Sequence, residues 1–128
     1  MKVMAKLLCV MFGGALGCAA RYGVGLLFTS WLKQPKFPYA TFFINLSGSL
    51  VIGMLGELYR LQVLTSAEWR LALITGLLGG YTTFSAYSLE NLSLLRAGEW
   101  VLVAIYASTS VLLGLLCAWV GMRIAQLL

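Results

Sequence analysis

Four long stretches of the chain are almost wholly apolar, and short polar links separate them. Leu7 to Leu32 carries one charge, at Arg21; Tyr39 to Leu58 carries only Glu57, near its end; Leu71 to Leu89 and Trp100 to Met122 carry none. Each stretch reaches the roughly 20 residues that a helix needs to cross a bilayer. The pattern predicts an all-α membrane protein of four transmembrane helices, one integral membrane domain over residues 1–128 with both chain ends on the same side. The links are too short to hold a soluble domain.

The third stretch is chemically the oddest, because its middle reads GGYTTFSAYS at residues 79–88. Paired glycines and paired threonines are poor material for a helix interior. With Gly76, Gly79 and Gly80 loosening the backbone and the midpoint of the run at residue 80, a break in this helix is expected at the bilayer centre. Broken helices survive at that depth only where the freed backbone groups find partners, usually an ion or a water-lined cavity. The freed carbonyls favour a cation, and the N-terminus of the second half-helix favours an anion. Past the break, Phe84, Tyr87 and Ser88 recur at three and four residues and share a face. An anion can approach the positive edge of an aromatic ring; plain core packing is the other use of such a cluster.

Composition agrees with membrane residence: 61% of the 128 residues are hydrophobic and 10% charged, against about a quarter charged in soluble domains. The net charge of +5 comes mostly from basic residues where helices leave the membrane, which points to anchoring rather than to nucleic acid. Lys2 and Lys6 before an apolar run, with GCAA at residues 17–20, imitate a secretory signal, but the run is too long and three more spans follow. Cys9, Cys18 and Cys117 lie within spans without ligand spacing and read as small buried apolar residues. The chain has no histidine and four carboxylates, so a metalloenzyme site or a nucleophile with its base lacks parts, and no enzyme is expected.

Lys2, Lys6, Arg60, Arg70 and Arg123 fall on the side of the termini and Lys33, Lys36 and Arg96 on the other, five against three. So weak a bias suits insertion in both orientations, and oppositely oriented copies can pair about a twofold axis in the membrane plane. Small residues recur at close-packing spacing at Gly13 and Gly17, Ser49 and Gly53, Gly76 and Gly80, and Ser110, Gly114 and Ala118. They serve contacts either within one bundle or between copies. Four helices at normal interior density leave no aqueous path along their middle, so transport calls for a second copy.

Polar groups inside a span are costly and mark function by default. Arg21 lies a little past the middle of the first span, too deep to snorkel easily, and must face water, an anion or a carboxylate, for which Glu57 and Glu90 are the evident candidates. Thr41, Asn45 and Ser49 share one stripe of the second span, and Tyr106 and Ser110 repeat the spacing in the fourth. Together they form a line of hydrogen-bond donors, serving either an anion or interhelical packing.

These residues resemble a known pattern. Gly-Ala-Leu-Gly with Arg21 following, Asn45 within TFFINLSGS, and GLLGGYTTFSAYSLE from Gly76 to Glu90 are similar to the Fluc (CrcB) family of fluoride ion channels, over nearly the whole chain. The resemblance implies an antiparallel dual-topology homodimer with two fluoride pores that exports fluoride passively across the cytoplasmic (inner) membrane. It implies a structural Na+ at the dimer centre, held by backbone carbonyls at Gly79 and Thr82 of each copy. It also implies a fluoride pathway of Asn45, the ring pair Phe84 and Tyr87, the vestibule residue Arg21, and a polar track of Thr41, Ser88, Glu90, Tyr106 and Ser110. Two departures stand out: Tyr87 occupies a position where the family usually has phenylalanine, and Gly114 lacks a hydroxyl where the track would end.

Two other classes compete. A small dual-topology multidrug exporter has similar size and charge balance, but needs a membrane-embedded acid in its first span, where this chain has Arg21. A non-conducting membrane subunit needs no polar line at all.

Overall fold

The computed structural model describes residues 2–33 and 35–128, and every regular element among them is helical. Helix α1 runs Lys2–Trp31, α2 Tyr39–Arg60 and α6 Trp100–Ala125. These three helices are long and apolar enough to cross a membrane, in keeping with a multi-pass membrane protein. Between α2 and α6 the third segment comes in pieces: α3 (Ala67–Arg70), a π-helical stretch Leu71–Leu78, α4 (Gly79–Tyr81) and, after a gap of two residues, α5 (Phe84–Arg96). Ser66 starts α3 by accepting the Trp69 N–H on its hydroxyl, the usual role of serine before a first turn. The π-helical stretch is wound loosely, so that the Gly79 N–H reaches back five residues to the Ile74 carbonyl. Such widened turns inside helices concentrate at functional sites.

The helices pack chiefly as two pairs: α1 lies along residues 71–81, and α2 lies along α6. Small residues make both contacts possible. A methyl group at Gly13 or Gly17 would run into the Ala72 or Leu77 carbonyl, and one at Gly76 or Gly80 would come within 2.8 Å of the Val10 carbonyl or 2.5 Å of the Gly14 carbonyl. Between α2 and α6, Gly53 meets the Ala118 backbone and Gly121 meets the Leu50 carbonyl. Backbones this close gain dispersion contacts along their whole length, which is what holds helices together where lipid tails remove the hydrophobic drive. Of the two uses open to the small-residue rows, these positions therefore serve contacts within the chain.

Near the C-terminal ends of α2 and α6, Glu57 accepts both Arg60 Nε at 2.7 Å and Arg60 Nη2 at 2.6 Å, and takes a third hydrogen bond from Gln126 Nε2 at 2.7 Å. The end of α2 is thereby tied to the end of α6. Glu57 is spent on this tie and is not the partner of Arg21.

Candidate functional site

The gap in the third segment consists of Thr82 (φ −79°, ψ 159°) and Thr83 (φ −152°, ψ 122°), both extended. It falls two to three residues beyond the paired glycines at which the break was expected. Gly79 and Gly80 tolerate helix here, whereas two consecutive β-branched residues are stiff and comfortable when extended. Each half also terminates properly. Thr82 sends its N–H at 2.9 Å and its hydroxyl at 2.8 Å to the Leu78 carbonyl, closing the first half. Thr83 accepts the Ala86 N–H on its hydroxyl at 3.2 Å, opening α5 as an N-cap.

Asn45 completes the accounting from a different helix. Its Oδ1 accepts the Thr83 N–H at 2.9 Å and its Nδ2 donates to the Thr83 carbonyl at 3.1 Å. One side chain therefore satisfies both backbone groups of the residue that breaks the helix. Without water, each group left bare would cost about 1–3 kcal/mol. Nδ2 carries a second N–H beyond the one given to Thr83. Gly48, one turn further along α2, leaves the room that the Thr82 methyl occupies, and Tyr81 and Ser47 share a hydroxyl–hydroxyl hydrogen bond of 2.9 Å.

Arg21 reaches the same place from α1. Its Nη1 donates to the Thr82 carbonyl at 3.4 Å and its Nη2 lies 3.6 Å from Cys18 Sγ. The carboxylate partner considered for it, Glu57 or Glu90, is occupied elsewhere. A cation therefore sits at the carbonyl end of the break. The Thr83 N–H that an unbroken helix would deliver to the Gly79 carbonyl goes to Asn45 instead, which releases that carbonyl. Among the described residues no group of three or more His, Cys, Asp and Glu forms a metal cluster.

Further along, Glu90 gathers two residues of the expected polar track. Thr41 donates to its Oε1 at 2.6 Å and the Tyr106 hydroxyl donates to its Oε2 at 2.8 Å. Thr41 is 7% exposed and Tyr106 fully buried. Both hydroxyl protons are committed to the carboxylate rather than free. Ser88 turns its hydroxyl back to the Phe84 carbonyl at 2.9 Å, and Ser49 does the same toward the Asn45 carbonyl at 2.7 Å. Ser110 is different: its oxygen is buried without a partner among the described residues. A buried hydroxyl without a partner is rare in folded chains.

The rings form a cluster. Phe84 and Tyr87 have centroids 5.6 Å apart, and Tyr87 meets Tyr106 at 4.9 Å in an edge-on arrangement. Phe37 and Phe42, which the sequence did not single out, stand edge-on to Tyr106 at 5.2 and 6.2 Å. Phe84 is 79% exposed on the chain surface, beside a cavity of about 350 Å³ lined by Asn45, Ser49, Gly79, Thr82, Thr83 and Phe84. The structure thus brings Asn45, Phe84, Gly79 and Thr82 around one cavity, with Arg21 behind Thr82. It groups Thr41, Glu90 and Tyr106 apart from them, with Tyr87 bridging the two groups. Thr83, both cap and clamp, was missed, although a threonine directly before a helical run is an N-cap signal.

A family model described as CrcB-like protein, Camphor Resistance (CrcB), matches residues 8–122. The chain belongs to the CrcB family. It is 44% identical over 124 residues to a protein of Hyphomonas neptunium named fluoride-specific ion channel FluC, covering 96% of this chain and 97% of that one. Proteins of the same name from Methylobacillus flagellatus and Rhizobium meliloti are 40% identical over 124 residues and 43% over 126, covering 97% and 96% of this chain and 97% and 98% of theirs. With CrcB membership, the matched region contains the break, its asparagine clamp and the Glu90 group together.

Proposed function

We propose that this CrcB chain is a fluoride-selective ion channel that lets fluoride leave the cell passively across the cytoplasmic (inner) membrane and so protects against fluoride toxicity. The observation that carries the reading is the pinned break, Asn45 against Thr83 beside the exposed Phe84, in a chain whose relatives bear the fluoride-channel name. Fluoride is small and strongly hydrated, so a pore must replace its water with several well-placed donors. The second N–H of Asn45, the edges of the Phe84 and Tyr87 rings and the Ser110 hydroxyl are such donors. Thr41, Ser88, Glu90 and Tyr106 continue the route, and Arg21 supplies positive potential near its start.

The working unit is an antiparallel homodimer of dual topology. Phe84 faces out of the single chain, and the weak five-to-three charge bias suits both orientations. A structural Na+ at the dimer centre would be held by the Gly79 and Thr82 carbonyls of each copy. Neutral carbonyl oxygens suit a hard monovalent ion; the Gly79 carbonyl is free of its helical Thr83 partner, whereas the Thr82 carbonyl already accepts from Arg21 and would have to share its second lone pair. When bound, the ion adds fixed positive charge between the copies. The multidrug exporter is disfavoured because a cation, Arg21, lies in the first span, where cationic substrates would be repelled.

The purified protein in liposomes is expected to pass fluoride and not chloride. A fluoride electrode recording no efflux from loaded vesicles, with the protein shown to be folded and dimeric, would remove the channel reading. Tyr87→Phe keeps the ring contacts to Phe84 and Tyr106 and is expected to hold the efflux rate within about twofold, the effect of a change worth at most about 0.5 kcal/mol. A dead variant would mean that the hydroxyl takes part in conduction.

A further inference from the structure

Glu90 forms part of the wall of a second cavity, of about 470 Å³, at the end of the bundle where the α1–α2 and α5–α6 links meet. Leu89, Ser93 and Leu94 of α5 line it from one side, Pro35 and Pro38 from the other. Lys36 and Glu99 also line it and form an ion pair with each other, Nζ to Oε1 at 2.6 Å. The two partners come from different links, 63 residues apart in sequence.

Both are held in place. Lys36 lies in the short link between Pro35 and Pro38, whose fixed φ angles stiffen it. Glu99 follows Gly98, whose φ of +75° allows the close of α5: the Gly98 N–H bonds to the Leu95 carbonyl at 3.1 Å and the Glu99 N–H to the Leu94 carbonyl at 3.0 Å. This is the Schellman geometry, which only glycine enters cheaply. The pair is also lopsided, since the Lys36 side chain is 76% exposed and that of Glu99 33%. An anion arriving from water meets the ammonium first.

We propose that Lys36 is the residue that captures fluoride at this mouth of the pathway, with Glu99 positioning it and moderating its charge. The inference rests on the channel reading. An anion route that passes the Glu90 carboxylate meets repulsion there, and a cation above it offsets that field. Because the Lys36 head is in water, its attraction is long-ranged at low salt and screened at high salt, the Debye length being about 30 Å at 0.01 M and about 3 Å at 1 M. A purely mechanical tie between exposed charges is weakened by salt as well, but it would be broken alike by removing either partner, whereas capture by the ammonium is strengthened when Glu99 is neutralised.

The test is the initial rate of fluoride efflux from proteoliposomes, with ionic strength set by an impermeant salt at about 0.01 M and about 1 M. Lys36→Gln is expected to slow efflux about threefold at the low value, the Boltzmann factor for removing a unit charge several ångström away in water. The deficit disappears at the high value, and Lys36→Arg restores the low-salt rate. Glu99→Gln leaves the ammonium uncompensated and raises the low-salt rate above wild type. Equal rates for Lys36→Gln and wild type at low salt overturn the proposal, as does a deficit of the same size at both salts or a slower Glu99→Gln. A wild-type protein without any fluoride efflux removes the channel reading and this inference with it.

Discussion

Asn45→Asp is expected to lower fluoride efflux from vesicles by at least about 100-fold. Two effects act together. On the proposed route the substitution puts a carboxylate at the wall of an anion path, and like charges brought together cost several kcal/mol, where each 1.4 kcal/mol is tenfold. It also replaces the Nδ2 donor with an oxygen facing the Thr83 carbonyl, now 3.1 Å away from a donor, so two acceptors oppose each other. Asn45→Ala separates the contributions: it adds no charge, yet leaves the Thr83 N–H and carbonyl bare, which lowers stability by about 2–6 kcal/mol for the two groups together. Thermal unfolding in detergent reads the second effect and the fluoride electrode reads both. An Asn45→Asp protein that conducts and unfolds like wild type would show that this side chain neither pins the break nor borders the route.

Gly17→Val is expected to prevent assembly of the bundle. A Cβ at Gly17 meets the Leu77 carbonyl and stands 2.8 Å from the Tyr81 nitrogen. Both obstacles are backbone, so no side chain can swing aside; α1 and the third segment must move apart. Overpacking of this kind costs at least about 3 kcal/mol when the backbone itself is in the way. The same shift withdraws Arg21, one turn further along α1, from the Thr82 carbonyl. Gly56→Ala is the matched control, since a Cβ there meets nothing within 4 Å. The measurement is the yield of monodisperse protein on size exclusion and its unfolding temperature. A well-folded Gly17→Val with native stability would mean that the two backbones are further apart than the structure has them.

The long spans were legible because hydropathy alone decides whether a stretch of about 20 residues leaves water. Arg21 and Asn45 stood out for a related reason: a polar side chain among apolar neighbours has no cheap explanation. A break in the third segment was also visible in its glycines and threonines, but not its position. That depends on Asn45, 38 residues away, meeting the Thr83 peptide, and no local propensity encodes a partner on another helix. Hydroxyl partners were hidden for the same reason. Thr41 and Tyr106 rotate their protons to whatever acceptor the fold delivers, here Glu90, and spacing within α2 or α6 says nothing of that. The small-residue rows disclosed close approach without disclosing the neighbour, which the backbone contacts of Gly17 and Gly53 supply.

A discontinuous helix is often a joint on which one half swings. Here an amide from α2 grips both poles of one peptide, so any swing of α5 would tear two bonds in a medium that offers no water in exchange. The corner is bolted rather than hinged. A passage built on it neither opens nor closes by a swing of α5.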